Sequence, residues 1–414
     1  MTNASDLIYD WNVQGEAGRF RPRHPIEFDD ETLRDGLQSP SVTDPAIDEK
    51  VHILHLMNDL GIHTADIGLP GAGPRAVEDV LVLAREIATN RLAIRPNCAA
   101  RTLRVDIDPI VQVTQKTGLP IEACVFIGSS PIRQYAEDWT LDKMLRHSED
   151  AVTYATANGL PVMFVTEDTT RAQPETIRKL YTTAIECGAR RVCVCDTVGH
   201  VTPIGVRNLV AFVQEVVRDS GEDVKIDWHG HRDRDLSVAN TLAAIEAGVH
   251  RVHGTGLGVG ERVGNTPMDM ILVNLKLLGW IENDLTRLGE YCRTISRACR
   301  VPIPHNYPVF GNDAFETATG VHAAAVIKAF RKGDTWLADR VYSGVPAGDF
   351  GLEQRIRIGP MSGKSNVIFW LEKHGVAADE DLVGAIFDRA KQTPRLLTDD
   401  EIWSAVHMKS KVES

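Results

Sequence analysis

The first two thirds of the chain alternate between short apolar runs and longer amphipathic stretches. The short runs are rich in β-branched residues and have the length of a buried strand. One run recurs roughly every thirty residues, which is the spacing of a repeated strand-and-helix unit. The eight predicted strands are Pro25–Asp29, Thr64–Leu69, Leu92–Asn97, Ile121–Ile127, Val162–Glu167, Arg191–Asp196, Val224–His229 and Arg251–Thr255.

The stretches between these runs carry apolar residues at the 3.6-residue spacing of a helix. Six predicted helices are Ile47–Leu60, Val77–Ala88, Leu141–Asn158, Pro174–Cys187, Ile204–Arg218 and Leu236–Ala247. Glycines stand where helices should end, because glycine accepts left-handed backbone angles: Gly61, Gly118, Gly159, Gly188 and Gly248. Eight β-then-α units predict an α/β protein built as a (β/α)₈ TIM barrel.

The rest of the chain loses this alternation and predicts a mainly helical C-terminal arm. It is expected to be helical over Ile281–Cys299, loop-like over Val301–Asn312 and mostly helical from there to Val406. The predicted organisation is an N-terminal extension (1–23), a TIM-barrel catalytic domain (24–280) and helical C-terminal subdomains (281–414).

Polar side chains collect where the predicted strands end. A TIM barrel carries its active site at the carboxyl ends of its strands. Strands 1 and 7 both neighbour strand 8 in a closed barrel, so side chains at their ends should meet. The residues concerned are Asp35, Glu167, Asp196, Thr197, His229, His231 and the glycine-rich segment Gly254–Gly264.

His229 and His231 form a His-x-His pair at the end of the seventh predicted strand. Alternate residues of a strand point to one face, so both imidazoles can reach one ion. With Asp35 they would make a common ligand set for a divalent metal. The pair alone fits equally well two polar residues at a strand end, and that alternative stays open.

Composition and charge narrow the function classes. The formal net charge of −12 argues against nucleic-acid binding, which needs a positive surface. No apolar run is long enough for a membrane helix and no signal-peptide pattern is visible, so no membrane role is expected. The seven cysteines are an odd number scattered through apolar segments, typical of free thiols in a reducing cytoplasm. Cys193 and Cys195 are expected to pack in the core.

The segment Gly254–Gly264 resembles a dinucleotide-binding loop only superficially. No acidic residue ends a following strand at the required spacing, and the next helix is expected only after Pro267. We interpret the segment as a tight turn that lets backbone approach a ligand.

Several ordered motifs give the chain a resemblance to a known family. It resembles the metal-dependent Claisen-condensing barrels, the isopropylmalate, homocitrate and citramalate synthases. The motifs are Thr32–Gln38 (TLRDGLQ), His229-x-His231 with Ala239-Asn240, Gly258–Asn265 (GVGERVGN), Thr319–His322 (TGVH) and Met361–Asn366 (MSGKSN). The resemblance implies condensation of acetyl-CoA with a 2-oxo acid, followed by thioester hydrolysis to a 2-substituted malate.

The resemblance also implies roles for individual residues. The metal, Mg²⁺, Mn²⁺ or Zn²⁺, would be held by Asp35, His229 and His231 with Asn265 near it or on it, and Arg34 would face the ketone oxygen. Further implied residues are Glu167 and Thr197 around the substrate, Gln38 and Leu37 in the substrate-binding motif, and His322 and Tyr342 for acetyl-CoA activation. The last two lie in the arm, which in the family usually reaches over the partner subunit, so a homodimer is expected.

The chain departs from the family pattern at four positions. Arg232 replaces an amide and Asp235 replaces a glycine. This loop therefore either has a different local conformation or is closed by an ion pair between the two residues. Arg133 stands where a histidine is common, and Leu37 where many relatives carry glutamate. Loss of that charge favours an apolar 2-oxo acid, and the position of the C-terminus predicts a 2-alkyl- or 2-arylmalate synthase without a regulatory domain.

Two other functions stay open at this stage. A hydroxymethylglutaryl-CoA lyase shares the TLRDGLQ motif but uses a cysteine in the loop after strand 8, and Leu257–Gly264 contains none. A catalytically silent barrel that acts as a binding or regulatory subunit is the third hypothesis. The altered loop Arg232–Asp235 keeps this hypothesis open, whereas the retained Arg34, Asp35, His229 and His231 argue against it.

Overall fold

The computed structural model describes residues 7–15 and 20–412, with side chains as far as residue 409. Parts of the predicted N-terminal extension, residues 1–6 and 16–19, therefore lie outside the described residues. The chain divides into two units. The first contains residues 1–284 and 290–302, and the second contains residues 285–289 and 303–414.

The first unit is built around a closed barrel of eight parallel strands, each hydrogen-bonded to the next along the chain and the eighth to the first. This confirms the predicted TIM barrel. The strands are β1 (Glu27–Asp30), β2 (Thr64–Asp66), β3 (Arg95–Arg101), β4 (Glu122–Gly128), β5 (Val162–Glu167), β6 (Arg191–Asp196), β7 (Lys225–Gly230) and β8 (Arg251–Gly254).

Helices follow the strands. They are α1 (Ile47–Asp59), α2 (Pro74–Asn90), α3 (Arg104–Thr117), α4 (Pro131–Ala136), α5 (Leu141–Ala157), α6 (Pro174–Glu186), α7 (Pro203–Ser220), α8 (Ser237–Ala247), α9 (Met268–Leu277) and α10 (Leu288–Cys299). Single 3₁₀ turns occur in this unit at Trp11–Val13, Gly36–Gln38, Pro70–Ala72, Thr169–Arg171 and Gly256–Gly258. No helix among the described residues is long and apolar enough to cross a membrane.

The third strand differs most from its prediction. The sequence predicts Leu92–Asn97, but β3 runs from Arg95 to Arg101. Ile94 is buried just before the strand begins. The following Cys98, Ala99 and Ala100 are small residues that the apolar pattern undervalues, yet they are buried inside the strand.

A network of charged side chains fills part of the barrel interior. Arg251 is fully buried and contacts Asp227 at 2.6 Å and Glu122 at 2.7 Å. Arg191 also contacts Asp227, at 2.6 Å, and Glu27, at 2.9 Å. Burial alone would raise the pKa of Asp227, but Arg251 and Arg191 outweigh it and lower that pKa far below its ordinary range.

Next to this network the interior is apolar and rich in sulfur, and Arg251 Nη2 lies 3.2 Å from the sulfur of Met163. The packed residues are Cys124, Met163, Cys193 and Cys195, with Val165 against them. The sulfurs of Cys193 and Cys195 lie 3.8 Å apart as free thiols, so the prediction that they pack in the core is confirmed.

Helix α10 supports the mouth of the barrel. Tyr291, fully buried on this helix, donates a hydrogen bond to Asp30 and lies 3.3 Å from the hydroxyl of Thr32. The sequence predicts this helix as part of the arm, but residues 290–302 cluster with the barrel.

The second unit is mainly helical, with one two-stranded parallel pair. Its elements are β9 (Glu316–Thr317), α11 (Gly320–Arg331), α12 (Thr335–Arg340), a 3₁₀ turn (Ala347–Phe350), β10 (Arg355–Ile356), α13 (Lys364–Lys373), α14 (Glu380–Gln392) and α15 (Asp399–Val412). Two buried clusters hold it together. One joins α13, α14 and α15 around Trp370 and Ile386, and the other joins α11 to β10 around Val326 and Ile356.

The buried ion pairs of the barrel should be essential for its stability. We expect Arg251→Met to lower the free energy of unfolding of the barrel by about 3–5 kcal/mol, because it leaves the buried Asp227 without one of its two arginine partners and Glu122 without its closest cation. Hydrogen exchange of the β7 and β8 amides, followed by mass spectrometry, measures this for the barrel alone.

Arg95→Met is the matched control. Arg95 pairs with Glu27 at 2.8 Å, but 61% of its side chain is exposed, so its loss should cost less than about 1 kcal/mol. An equally small effect of Arg251→Met would contradict a structural role for the buried network.

Candidate active site

Three side chains at the barrel mouth converge on one point. Asp35 Oδ2 lies 3.8 Å from His229 Nε2 and 3.7 Å from His231 Nε2. One ligand atom of each residue lies within 4.8 Å of the others, and all three residues are buried. The geometry therefore lets the three groups that the sequence predicts as ligands share a single ion.

The fold explains why these residues meet. His229 lies near the end of β7, and His231 continues past it to form an isolated bridge with Asn265. Asp35 lies just after β1, directly before the 3₁₀ turn that starts at Gly36. A Cβ at Gly36 would lie 3.0 Å from Val259 Cγ2, so glycine lets this turn pack against the β8 loop.

Asn265 completes the arrangement. Its Nδ2 donates to Asp35 Oδ2 at 2.5 Å, while its Oδ1 is buried and has no hydrogen-bond partner among the described residues. A Cβ at Gly260 would lie 2.0 Å from this Oδ1, so the glycine-rich loop wraps closely around the amide. A buried, unpaired amide oxygen beside a carboxylate and two imidazoles fits a divalent cation at this point.

A second group of possible ligands shares His229. Glu31, His229 and His253 also place ligand atoms within 4.8 Å of one another. However, His253 has a carboxylate near each ring nitrogen, Glu31 at 3.1 Å and Asp227 at 2.9 Å. Glu31 also lies 2.7 Å from His229 Nδ1, so only Nε2 of His229 remains for an ion. The set containing Asp35 is the better metal site.

Burial and neighbouring charges set the protonation of two of these ligands, His231 and Asp35. Burial and then the proximity of His229 lower the pKa of His231 to about 4, so that ring is neutral at pH 7. Burial alone would raise the pKa of Asp35, but the Arg34 guanidinium outweighs it and lowers that pKa. Cation binding requires neutral imidazoles and an ionised carboxylate, and His231 and Asp35 meet this requirement. For His229, burial is outweighed by the Glu31 carboxylate, which raises the pKa of the ring.

Arg34 is held at the mouth by three carboxylates. Its guanidinium contacts Asp66 at 2.6 Å, Asp35 at 2.9 Å and Glu31 at 3.3 Å. Only 19% of its side chain is exposed. The cation is therefore pre-positioned beside the three-residue group, where it can meet developing negative charge without reorganising.

Arg34 and the three proposed ligands line a cavity of about 130 Å³. The residues that line it and were predicted from the sequence are Arg34, Asp35, Gln38, Glu167, Thr197, His229 and His231. Leu37 instead lines a neighbouring cavity of about 420 Å³, which also borders Arg34 and Gln38. The structure thus brings most of the predicted residues together and directs Leu37 to the adjoining space.

Glu167 lies at the end of β5, between two cavities. It lines the metal-side cavity and also one of about 400 Å³ that contains Arg133. Burial raises the pKa of Glu167, although Arg133 and Arg34 partly oppose the shift. Thr197 directly follows β6, and its hydroxyl oxygen accepts a hydrogen bond from the backbone N–H of Asp168 at 2.8 Å.

The altered loop after His231 is closed by a contact between its two unusual residues. Arg232 lies 3.3 Å from Asp235. Asp235 adopts a left-handed backbone with φ of 56°, which suits the glycine that stands there in the family. The loop therefore keeps its glycine-like backbone despite the substitution.

Three site residues escaped the sequence analysis: Glu31, Asp66 and His253. Glu31 continues an alternation of acidic residues with Glu27 and Asp29 along β1, which was a visible signal of an inward charged face. His253 and Asp66 showed no such signal, because their partners come from other strands.

The two arm residues predicted to activate acetyl-CoA lie in the second unit. His322, on α11, stacks on Tyr342 with ring centroids 4.3 Å apart. Both rings are accessible, Tyr342 to 49%. Their role over a barrel mouth stays a prediction.

Comparison with known proteins places the chain among characterised families. The HMGL-like family model matches residues 25–295. A homocitrate synthase of Methanopyrus kandleri is 33% identical over 87% of this chain and 86% of its own length. A probable 2-isopropylmalate synthase of the same organism is 34% identical over 89% and 69%.

A solved structure of the lyase fold gives an independent view of the barrel. The Bacillus subtilis HMG-CoA lyase covers 69% of this chain and 97% of its own, with a TM-score of 0.57 and 18% identity, a likeness in fold alone. The family match and the curated relatives together show that the chain belongs to the HMGL-like family, in the group of the homocitrate, isopropylmalate and citramalate synthases.

Proposed function

We propose that the protein is an acyltransferase that condenses acetyl-CoA with a 2-oxo acid of apolar side chain, yielding a 2-substituted malate and CoA. The convergence of Asp35, His229 and His231 on one point at the barrel mouth is the observation that carries the proposal. The named relatives, homocitrate and isopropylmalate synthases, support the same reaction class.

The residues present fit a divalent metal ion. Asp35, His229 and His231 would hold it, with the orphaned oxygen of Asn265 beside it. When bound, such an ion supplies Lewis acidity to the ketone oxygen of the 2-oxo acid. A mixed oxygen and nitrogen ligand set accommodates Mg²⁺, Mn²⁺ or Zn²⁺.

Arg34 is the second source of positive charge for the reacting ketone. As carbon–carbon bond formation moves electrons onto the ketone oxygen, a guanidinium at the cavity wall stabilises them, and a proton completes the hydroxyl. Its three carboxylate contacts hold Arg34 in place before substrate arrives. Water then cleaves the thioester carbon–sulfur bond, releasing CoA as a thiol and leaving the new carboxylate.

Glu167 is our candidate for the base that removes a proton from the acetyl methyl group. A general base works best when its pKa approaches the operating pH, and burial shifts that of Glu167 upward. Thr197 lines the same cavity, where it can orient the substrate. His322 and Tyr342 are proposed to assist acetyl-CoA from the arm of a partner subunit in a homodimer.

The cavity wall favours an apolar substrate side chain. Away from the charged residues, it is lined by Ala99, Cys124, Phe126, Met163, Val165, Cys193 and Cys195. A second substrate carboxylate placed against these groups would be desolvated without a partner. The lining therefore supports an alkyl or aryl 2-oxo acid over the dicarboxylic substrate of homocitrate synthesis.

No specific observation favours the two alternatives. The loop Leu257–Gly264 lacks the cysteine that the lyase reading requires, and the likeness to lyase structures is one of fold. A silent barrel would not need Arg34, Asp35 and both histidines gathered around one cavity.

The reaction is tested by CoA release. We expect the full chain with Mg²⁺ or Mn²⁺, acetyl-CoA and 2-oxoisovalerate to release free thiol, measured with a thiol reagent. His231→Ala and EDTA should each lower the rate at least ~100-fold, because loss of the ion removes several kcal/mol of transition-state stabilisation.

His55→Ala is the control for that experiment. His55 lies in α1 and pairs with Glu86 at 2.7 Å on the outside of the barrel, so its removal should leave the rate unchanged. Thiol release that survives both EDTA and His231→Ala would contradict the metal-dependent mechanism, and cleavage of hydroxymethylglutaryl-CoA without synthesis would indicate the lyase.

Substrate choice is a separate prediction. We expect kcat/KM for apolar 2-oxo acids to exceed that for 2-oxoglutarate by about tenfold or more, since Arg34 is the one arginine or lysine among the described residues that line the cavity. Steady-state kinetics on a panel of 2-oxo acids measures this. A preference for 2-oxoglutarate would contradict the proposed substrate class while leaving the condensation intact.

Glu167→Gln should separate the catalytic role of this carboxyl from its cost in stability. Loss of a general base should lower kcat by about 10²–10⁴-fold. Because the folded-state pKa of Glu167 is raised, ionising it in the fold costs stability as the pH rises through that pKa.

The stability of Glu167→Gln relative to the wild type should therefore increase with pH. Below the ordinary pKa of glutamate both proteins carry a neutral group there and should unfold alike. Above the raised pKa the variant should be the more stable, as measured by melting temperatures between pH 4 and pH 8. A difference that does not change with pH would contradict the raised pKa.

A further inference from the structure

His229 offers its two ring nitrogens to two different carboxylates. Nδ1 lies 2.7 Å from Glu31 Oε2, and Nε2 lies 3.8 Å from Asp35 Oδ2 on the cavity side. A neutral imidazole carries one proton. Placed on Nδ1, next to the Glu31 carboxylate, that proton leaves the lone pair of Nε2 free for a cation.

Glu31 is in turn held by partners on its other oxygen. Oε1 lies 3.1 Å from His253 Nδ1 and 3.3 Å from a guanidinium nitrogen of Arg34. Glu31 is 3% exposed and His253 is 1% exposed, so water cannot replace these contacts. The carboxylate therefore has a defined orientation, with Oε2 directed at His229.

The chain of contacts continues into the charged network of the barrel interior. His253 Nε2 lies 2.9 Å from Asp227, whose carboxylate is also held by Arg251 and Arg191, each at 2.6 Å. Strands β7, β8 and β1 are neighbours, and Asp29 pairs directly with His253 in the barrel register. A rigid scaffold thus supports Glu31 from behind.

We propose that Glu31, supported by His253, is a positioning residue that fixes the tautomer and ring orientation of His229 and thereby sets the affinity of the three-residue site for its metal. The proposal rests on the metal site of the proposed function. It deepens that function by assigning roles to two residues outside the expected ligand set. Carboxylates that hold ligand histidines commonly affect metal affinity by about 10–100-fold.

A purely structural reading of the same contacts makes a different prediction. If Glu31 served only to neutralise Arg34 and His253, the variant Glu31→Gln would change the stability of the protein but leave the metal affinity of the folded protein unchanged. Glu31→Gln keeps the size of the side chain and one accepting oxygen while removing the charge. It therefore tests the effect of the carboxylate on His229 with little change in packing.

The experiment is a titration of the metal-free full chain with Mn²⁺, with free ion followed by electron paramagnetic resonance. We expect Glu31→Gln to raise the dissociation constant about 10–100-fold. His253→Gln should raise it by a smaller factor, because it acts through Glu31. Circular dichroism and melting curves first establish that each variant is folded.

Two controls separate the possible failures. Glu86→Gln disrupts a Glu–His pair of the same 2.7 Å length between α1 and α2 and should bind Mn²⁺ as the wild type does. His231→Ala removes a proposed ligand and should abolish binding at the site.

Each outcome bears on a different claim. Unchanged binding in His231→Ala would overturn the metal site itself, and with it the proposed function. Lost binding in His231→Ala with an unchanged dissociation constant in Glu31→Gln would overturn only the positioning role. If Glu31→Gln does not fold, His253→Gln decides, and wild-type affinity in that variant overturns the proposal.

Discussion

The closure of the barrel is the constraint on which the site depends. Strand β8 pairs with β7 on one side and β1 on the other, so residues almost two hundred positions apart in sequence become neighbours. Asp35 can meet His229 and His231 only because of that closure. The charges that gather there are stable in the interior because each faces an opposite charge.

The barrel interior contains two chemically different groups of side chains, and the difference bears on the proposed function. The charged network, from Arg251 through Asp227 and His253 to Glu31, supports the polar side of the cavity. The cluster of Cys124, Met163, Cys193 and Cys195 on β4, β5 and β6 adds apolar and sulfur-containing side chains. The substrate class that we propose, a 2-oxo acid with an apolar tail, fits both groups.

Much of the fold could be predicted from the sequence. Parallel strands buried on both faces form continuous apolar runs, and glycines such as Gly118 and Gly248 end helices with positive φ as expected. Strand β3 was misplaced because small residues carry its buried face. Residues 290–302 were expected in the arm, but their association with the barrel depends on tertiary contacts, such as that of Tyr291 with Asp30, which no local pattern reveals.

The candidate site was only partly predictable for a similar physical reason. Asp35 and the two histidines carry recognisable chemistry at strand ends, whereas the importance of Glu31 and His253 arises from contacts between strands.

The most direct test of the account is a crystal structure of the protein grown with Mn²⁺ and a 2-oxo acid, using anomalous scattering at the manganese edge. The account predicts one strong anomalous peak between Asp35, His229 and His231. A peak elsewhere, with these three side chains in mutual contact and no ion between them, would contradict it.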